Sequence, residues 1–138
     1  MINKFNQLVN HPDLGKLILR VTIGVLMLLH GLHKMEPGGL AGIQGMLANI
    51  NLPSFIAYGT LIGEVLCPIL LIIGLFTRAS AFIVAITMLV AILMVHSSSF
   101  WALDPKTGGW AAESAGIYLL AGLALMFLGS GRFAIRKD

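Results

Sequence analysis

The sequence predicts an all-α membrane protein, a compact four-transmembrane-helix bundle with a short interfacial or re-entrant helix between spans one and two. The first observation behind this is composition. Of 138 residues, 57% are hydrophobic and 11% are charged, against about 45–50% apolar and about 25% charged in an ordinary soluble domain. Nine Lys and Arg with six Asp and Glu cannot cover the surface of a soluble fold. That excludes disordered, coiled-coil and nucleic-acid-binding classes and makes the lipid bilayer the first partner. The second observation is four apolar stretches, at residues 17–32, 55–76, 79–95 and 111–128, without the strict alternation of barrel strands. The third is an uneven distribution of cations around them. Residues 1–138 read as one membrane domain.

The first span, LILRVTIGVLMLLHGL, is followed by Gly31-Leu32-His33-Lys34 rather than a small-x-small cleavage site, so it reads as a retained anchor. Pro37-Gly38-Gly39 then makes a turn. Leu40, Ile43, Met46, Leu47 and Ile50 follow at helical spacing, which predicts the short helix within about 38–51. Asn51-Leu52-Pro53-Ser54 stops it, with Ser54 in position to cap span two. Span two holds Glu64 and, four residues on, Pro68. Proline has no N–H and clashes with the carbonyl at i−4, so a kink is expected beside Glu64. Thr77-Arg78 is a tight link to span three. A polar segment with Trp101 and Trp110, suited to the headgroup boundary, leads to span four. Gly59 and Gly63, Ala81 and Ala85, and Ala112 and Gly116 are small-xxx-small pairs that let helices approach closely.

Lys4, Lys16, Arg20, Arg78, Arg132, Arg136 and Lys137 fall at one end of the spans, and Lys34 and Lys106 at the other. The positive-inside rule puts both termini in the cytoplasm, which an even number of spans also requires. The links at 33–54 and 96–110 then face outward.

Ionisable groups inside spans are costly and mark function by default. Glu64 is the clearest, roughly 13 Å along its helix from Phe55. His30 and His96 end spans one and three on the outer side, and Glu113 opens span four there. With Glu64 they form a candidate outward-opening pocket for proton exchange, since histidine titrates near neutrality and a desolvated carboxyl is shifted toward it. Arg20, one turn inside the cytoplasmic end, snorkels to phosphate, pairs with a carboxyl or holds a ligand head. Hydrogen bonds between helices are the structural alternative for each. Histidine and carboxylates also suit zinc, iron or manganese, but there is no HExxH or Glu-x-x-His pair, and a metal is not the expected cofactor. The lone Cys67 excludes an internal disulfide.

The order of Arg20, His30-Gly31, Lys34, Glu64, Gly74-Leu75-Phe76-Thr77-Arg78, His96 and Gly129-x-Gly131 resembles the DoxX family of small bacterial four-helix membrane proteins. The PGGLAG and NLPS segments add to the resemblance, which covers roughly residues 16–133. Ala111-Ala112-Glu113 departs from it, because the family often has an aromatic residue beside that acid. The resemblance implies the bacterial inner membrane. Some relatives are membrane subunits of thiosulfate:quinone oxidoreductase, and others are tied to sulfur metabolism and oxidative-stress defence as partners of soluble enzymes. The resulting expectation is a membrane subunit of an oxidoreductase system, with a soluble redox partner, binding a quinone-like molecule in the bundle. Arg20, His30, Glu64, His96 and Glu113 are its candidate polar contacts, and Glu64, His30 and His96 its proton exchangers. A non-enzymatic scaffold or assembly factor and a small proton-coupled transporter are the alternatives, and a homo-oligomer is left open.

The topology makes a direct prediction. Cysteines introduced at Asn49 or Lys106 should react with an impermeant thiol reagent added to intact cells, and cysteines at Lys4 or Lys137 should not. Outside labelling of Lys137→Cys would reverse the assignment.

Overall fold

The computed structural model describes residues 1–95, 98 and 100–138. A short exposed helix, α1 (Ile2–Leu8), precedes α2 (Pro12–Lys34). Pro12 opens α2 where its missing N–H costs nothing, and Asp13 sits favourably in the first turn. The α3 helix (Ala41–Asn49) lies between two left-handed residues, Gly38 at φ 79° and Asn51 at φ 58°. Next comes α4 (Ser54–Ile73), then α5 (Thr77–Val95) and α6 (Glu113–Leu128). The architecture is an all-α, membrane-spanning bundle. Leu103 and Trp110 make an isolated β-bridge, and there is no sheet among the described residues.

Three helices, α2, α4 and α5, are long and apolar enough to cross a membrane, and α6 is apolar but only 16 residues long. The fourth expected stretch is shortened at its start for a local reason. Ala111 N–H donates to Ala102 O, and Glu113 N–H donates to Trp110 O. Residues 110–112 therefore belong to the bridged turn before the helix. Other boundaries shift as well. The first helix starts at Pro12 rather than 17, and the second ends at Ile73 because Gly74 takes φ 76°. Ser54 opens a 3₁₀ turn behind Pro53 and makes no side-chain cap.

Helix α4 is composite. A 3₁₀ turn (Ser54–Tyr58) and a short α segment lead into a π-turn at Ile62–Leu66, and regular α geometry resumes at Cys67–Ile73. The π-turn immediately precedes Pro68. Cys67 N–H reaches back to Ile62 O, so the ladder is already widened where proline withholds its donor.

Close packing depends on glycines of α2. A Cβ on Gly24 would meet Pro68 O at 2.8 Å, and one on Gly31 would meet Glu64 O at 2.0 Å. Arg20, Gly24, Met27, Gly31 and Lys34 recur at spacings of four and three, giving one stripe of α2. The first four of these are buried. On the other side of α4, a Cβ on Gly63 would lie 1.9 Å from Thr87 Oγ1 of α5. Helices α5 and α6 pack along each other, with Gly122 against Ala81 and Ala85. Ile23, Met27, Leu71, Val84 and Leu125 fill the core.

The end of the bundle away from Lys34 is closed by the C-terminal tail. Helix termini leave carbonyls without intrahelical partners, and in a bilayer these must be satisfied from within. Ile135 and Arg136 N–H donate to Ile73 O and Gly74 O at 3.2 and 3.1 Å. Arg78 Nη1 donates to Met126 O and Phe127 O, both at 2.9 Å. Arg20, 1% exposed, donates to Ser130 O at 2.7 Å and Phe133 O at 2.6 Å. Left-handed Gly129 and Gly131 turn the tail into this position.

Arg20→Met should strand both tail carbonyls. The expected loss is about 3 kcal/mol of resistance to SDS-induced unfolding, with faster tryptic cleavage at Arg132 and Arg136. Unchanged stability and cleavage would mean that the tail holds without it.

Candidate functional site

The stripe of α2 ends in Lys34, whose Nζ donates to Glu64 Oε2 in a direct ion pair. Local geometry explains the meeting. Gly31, one turn before Lys34, brings α2 against the Glu64 backbone, and the π-turn rotates the residues around Glu64 relative to a regular helix. The pair is asymmetric. The Glu64 side chain is 4% exposed and that of Lys34 is 26% exposed. A carboxylate this buried requires a partner, and the long lysine side chain supplies one while keeping its head near the end of the helix.

The pair borders a cavity of about 600 Å³ between α3, α4 and α5. Ile43, Met46 and Leu47 of α3 contribute to it, as do Ile86, Val90 and Met94 of α5. Gly59 is part of its wall rather than a packing contact, since a Cβ there would meet nothing within 4 Å. Thr60 and Thr87 also line it, and their hydroxyls donate to Ala57 O and Ile83 O at 2.8 Å each. Their lone pairs remain as acceptors. The chemical character is thus an apolar slot with an ammonium, a carboxylate and two hydroxyl acceptors.

Of the candidate site residues Arg20, His30, Glu64 and Glu113, Glu64 lines this cavity and the others do not. His30 is exposed and turned toward α6, its ring edge-on to Tyr118 at 5.9 Å. It precedes Gly31 by one residue, about 100° around the helix from that close contact with α4. Arg20 is at the far end of α2, committed to the tail carbonyls. Glu113 is exposed in the first turn of α6, near Gly109. The expected shared recess therefore does not unite Glu64 with His30, Arg20 or Glu113. His96 lies outside the described residues. Sequence reasoning counted Lys34 as an outer cation and as part of the family resemblance, but not among the candidate site residues. The spacing Arg20, Gly24, Met27, Gly31, Lys34 was the available signal, since it continues the buried stripe of α2 to Lys34.

The DoxX family's sequence profile matches residues 15–97, a segment that contains both partners of the ion pair. The chain belongs to the DoxX family. It is 32% identical over 123 residues to the protein named "Putative oxidoreductase CatD" of Bacillus subtilis, covering 89% of this chain and 85% of that protein. It is also 32% identical over 120 residues to an uncharacterized protein of Haemophilus influenzae, covering 85% of this chain and 84% of the relative. No solved structure matches it. This DoxX chain is accordingly a multi-pass membrane protein, with its buried ion pair inside the family-matched region.

Removing one partner of a buried pair strands the other. Lys34→Met should lower resistance to SDS-induced unfolding by about 3 kcal/mol, and the Lys34→Met/Glu64→Gln double variant should recover most of it. Additive losses in the double variant would show that the two side chains are not coupled.

Proposed function

We propose that this protein is an inner-membrane component of a redox system and that the cavity between α3, α4 and α5 binds a quinone-like lipophilic molecule. The observation carrying the proposal is the cavity itself: a slot of about 600 Å³ with aliphatic walls and the Lys34–Glu64 pair at its border. Ligand sites are mostly apolar with a few placed polar groups, and a quinone head with its isoprenoid chain has that division. Similarity to a relative named as an oxidoreductase agrees with a redox role.

A bound quinone would supply two-electron chemistry coupled to protons. The protein's part is to orient and to exchange protons. Lys34 Nζ has donors beyond the one given to Glu64 and would hold a carbonyl oxygen of the head. Glu64 would give or take the proton. Thr60 and Thr87 would accept hydrogen bonds from a hydroxyl form of the head. Ile86 and Val90, both exposed on the lipid-facing side of α5, would line a lateral entrance for a ligand dissolved in the bilayer. Electrons would come from a soluble partner. In this reading α6 is the fourth span. Its 16 residues cover about 24 Å as a helix, beside α5, between Trp110 at the outer interface and Arg78 at the inner one.

The test is mass spectrometry of lipids retained after mild-detergent purification. Quinone should co-purify with the wild type and be lost from Val90→Trp, which fills the slot. Glu64→Gln keeps shape and hydrogen bonding but cannot exchange a proton, so it should fold and retain quinone while quinone-linked reduction falls. Quinone absent from the wild type, or full activity in Glu64→Gln at matched expression, would overturn the proposal.

A further inference from the structure

A second recess lies at the same end of the bundle, with a volume of about 320 Å³. It is formed by the turn after α2, the start of α3 and the early part of α4, and includes Glu36, Gly38, Gln44 and Tyr58. Glu36 and Gly38 are exposed, so this recess meets the aqueous surface. Its lining and that of the apolar cavity have one residue in common, Lys34. Two faces of α3 line the two spaces. Ala41 and Gln44 contribute to the surface recess, whereas Ile43, Met46 and Leu47 contribute to the apolar cavity. The Pro37-Gly38-Gly39 turn holds Lys34 in this partition, because a Cβ on Gly39 would lie 2.5 Å from Lys34 O.

We propose that Lys34 is the gate of a proton route running from outer water, through the surface recess, to Glu64 in the apolar cavity. This deepens the redox reading, which gives the proton its destination, but the route itself stands on the two cavities and the shared lysine. In the step, an N–H bond of the Lys34 ammonium breaks as an O–H bond forms at Glu64 Oε2. The Lys34 amine then takes a proton from hydronium in the recess. The neutral acid and amine are tolerated in an apolar setting, where separated charges are not. The walls of the large cavity are otherwise aliphatic apart from Thr60 and Thr87, which do not titrate, so they offer Glu64 no second titratable neighbour among the described residues. The titratable groups on the recess side are Glu36 and Tyr58 in its lining, and His33, whose Nδ1 is 3.6 Å from Glu36 Oε2. His30 faces Tyr118, away from both spaces. A lipid-soluble ligand thus enters from the bilayer, and its proton enters from water by a separate door.

Two carbodiimides separate the doors. A carbodiimide activates the Glu64 carboxyl, and Lys34 captures it as an isopeptide with loss of one water, which peptide mass spectrometry reads. In proteoliposomes of the full chain, a water-soluble carbodiimide reaches Glu64 by the recess, and dicyclohexylcarbodiimide reaches it from the lipid. Ala41→Trp fills the recess without entering the apolar cavity, and Gln44→Trp does so from the next turn of α3 if the first variant fails to fold. The expected result is several-fold slower cross-linking by the water-soluble reagent, with an unchanged rate for the lipophilic one. Equal slowing of both, slowing of neither, or no cross-link in the wild type would overturn the route. Quinone retention is measured on the same samples. Asymmetric labelling without retained quinone keeps the route and discards the redox reading, while retained quinone without asymmetry does the reverse.

Discussion

A carboxylate inside an apolar bundle must have a partner, and much of this fold can be understood as the means of giving Glu64 one. Burial of an unpaired charge would cost a large part of the stability of a small domain. Lys34 meets the need from the last residue of α2. For that lysine to reach, α2 must run almost in backbone contact with α4, which Gly31 permits. On the opposite face, Gly63 admits α5 through Thr87. The π-turn over Ile62–Leu66, backed by Pro68, gives the Glu64 segment a geometry that a regular helix does not provide.

The same stripe of α2 carries a cation at each end, and the two do different work. Arg20 is sealed in and spends its planar donors on carbonyls of the tail, for which a guanidinium is well shaped. It is an internal clamp, buried together with Ser130. Lys34 is partly open, bonded on one side and bordering two spaces. One charge fixes the bundle, and the other remains accessible for chemistry.

The spans were legible because they depend on composition over long windows: the segments at 17–32, 55–76 and 79–95 each fall largely within a long apolar helix. The short helix near 38–51 was legible from the spacing of Leu40, Ile43, Leu47 and Ile50, since one apolar face is enough to announce it. The beginning of α6 was hidden because it depends on a bridge between Leu103 and Trp110, a pairing no local pattern encodes. At the site, Glu64 stood out as an acid in an apolar run. His30 stood out for the same reason, although one step of about 100° turns it toward Tyr118. The glycines at 24 and 31 mark the buried face, and His30 and Lys34, four residues apart and so on neighbouring positions of one side of α2, are told apart by what each meets, Tyr118 for one and Glu64 for the other. Arg20 gave no sign of its partners, because Ser130 and Phe133 are more than a hundred residues away.

The central claim is that Glu64 and Lys34 are directly paired at the border of the apolar cavity. Solid-state NMR in lipid bilayers can measure this as the dipolar coupling between Lys34 ¹⁵Nζ and Glu64 ¹³Cδ, assigned by its loss in Lys34→Met and Glu64→Gln. A coupling corresponding to a separation within about 4 Å is predicted, as for a direct ion pair. A separation beyond about 6 Å, outside the range of close charge pairing, would contradict the account.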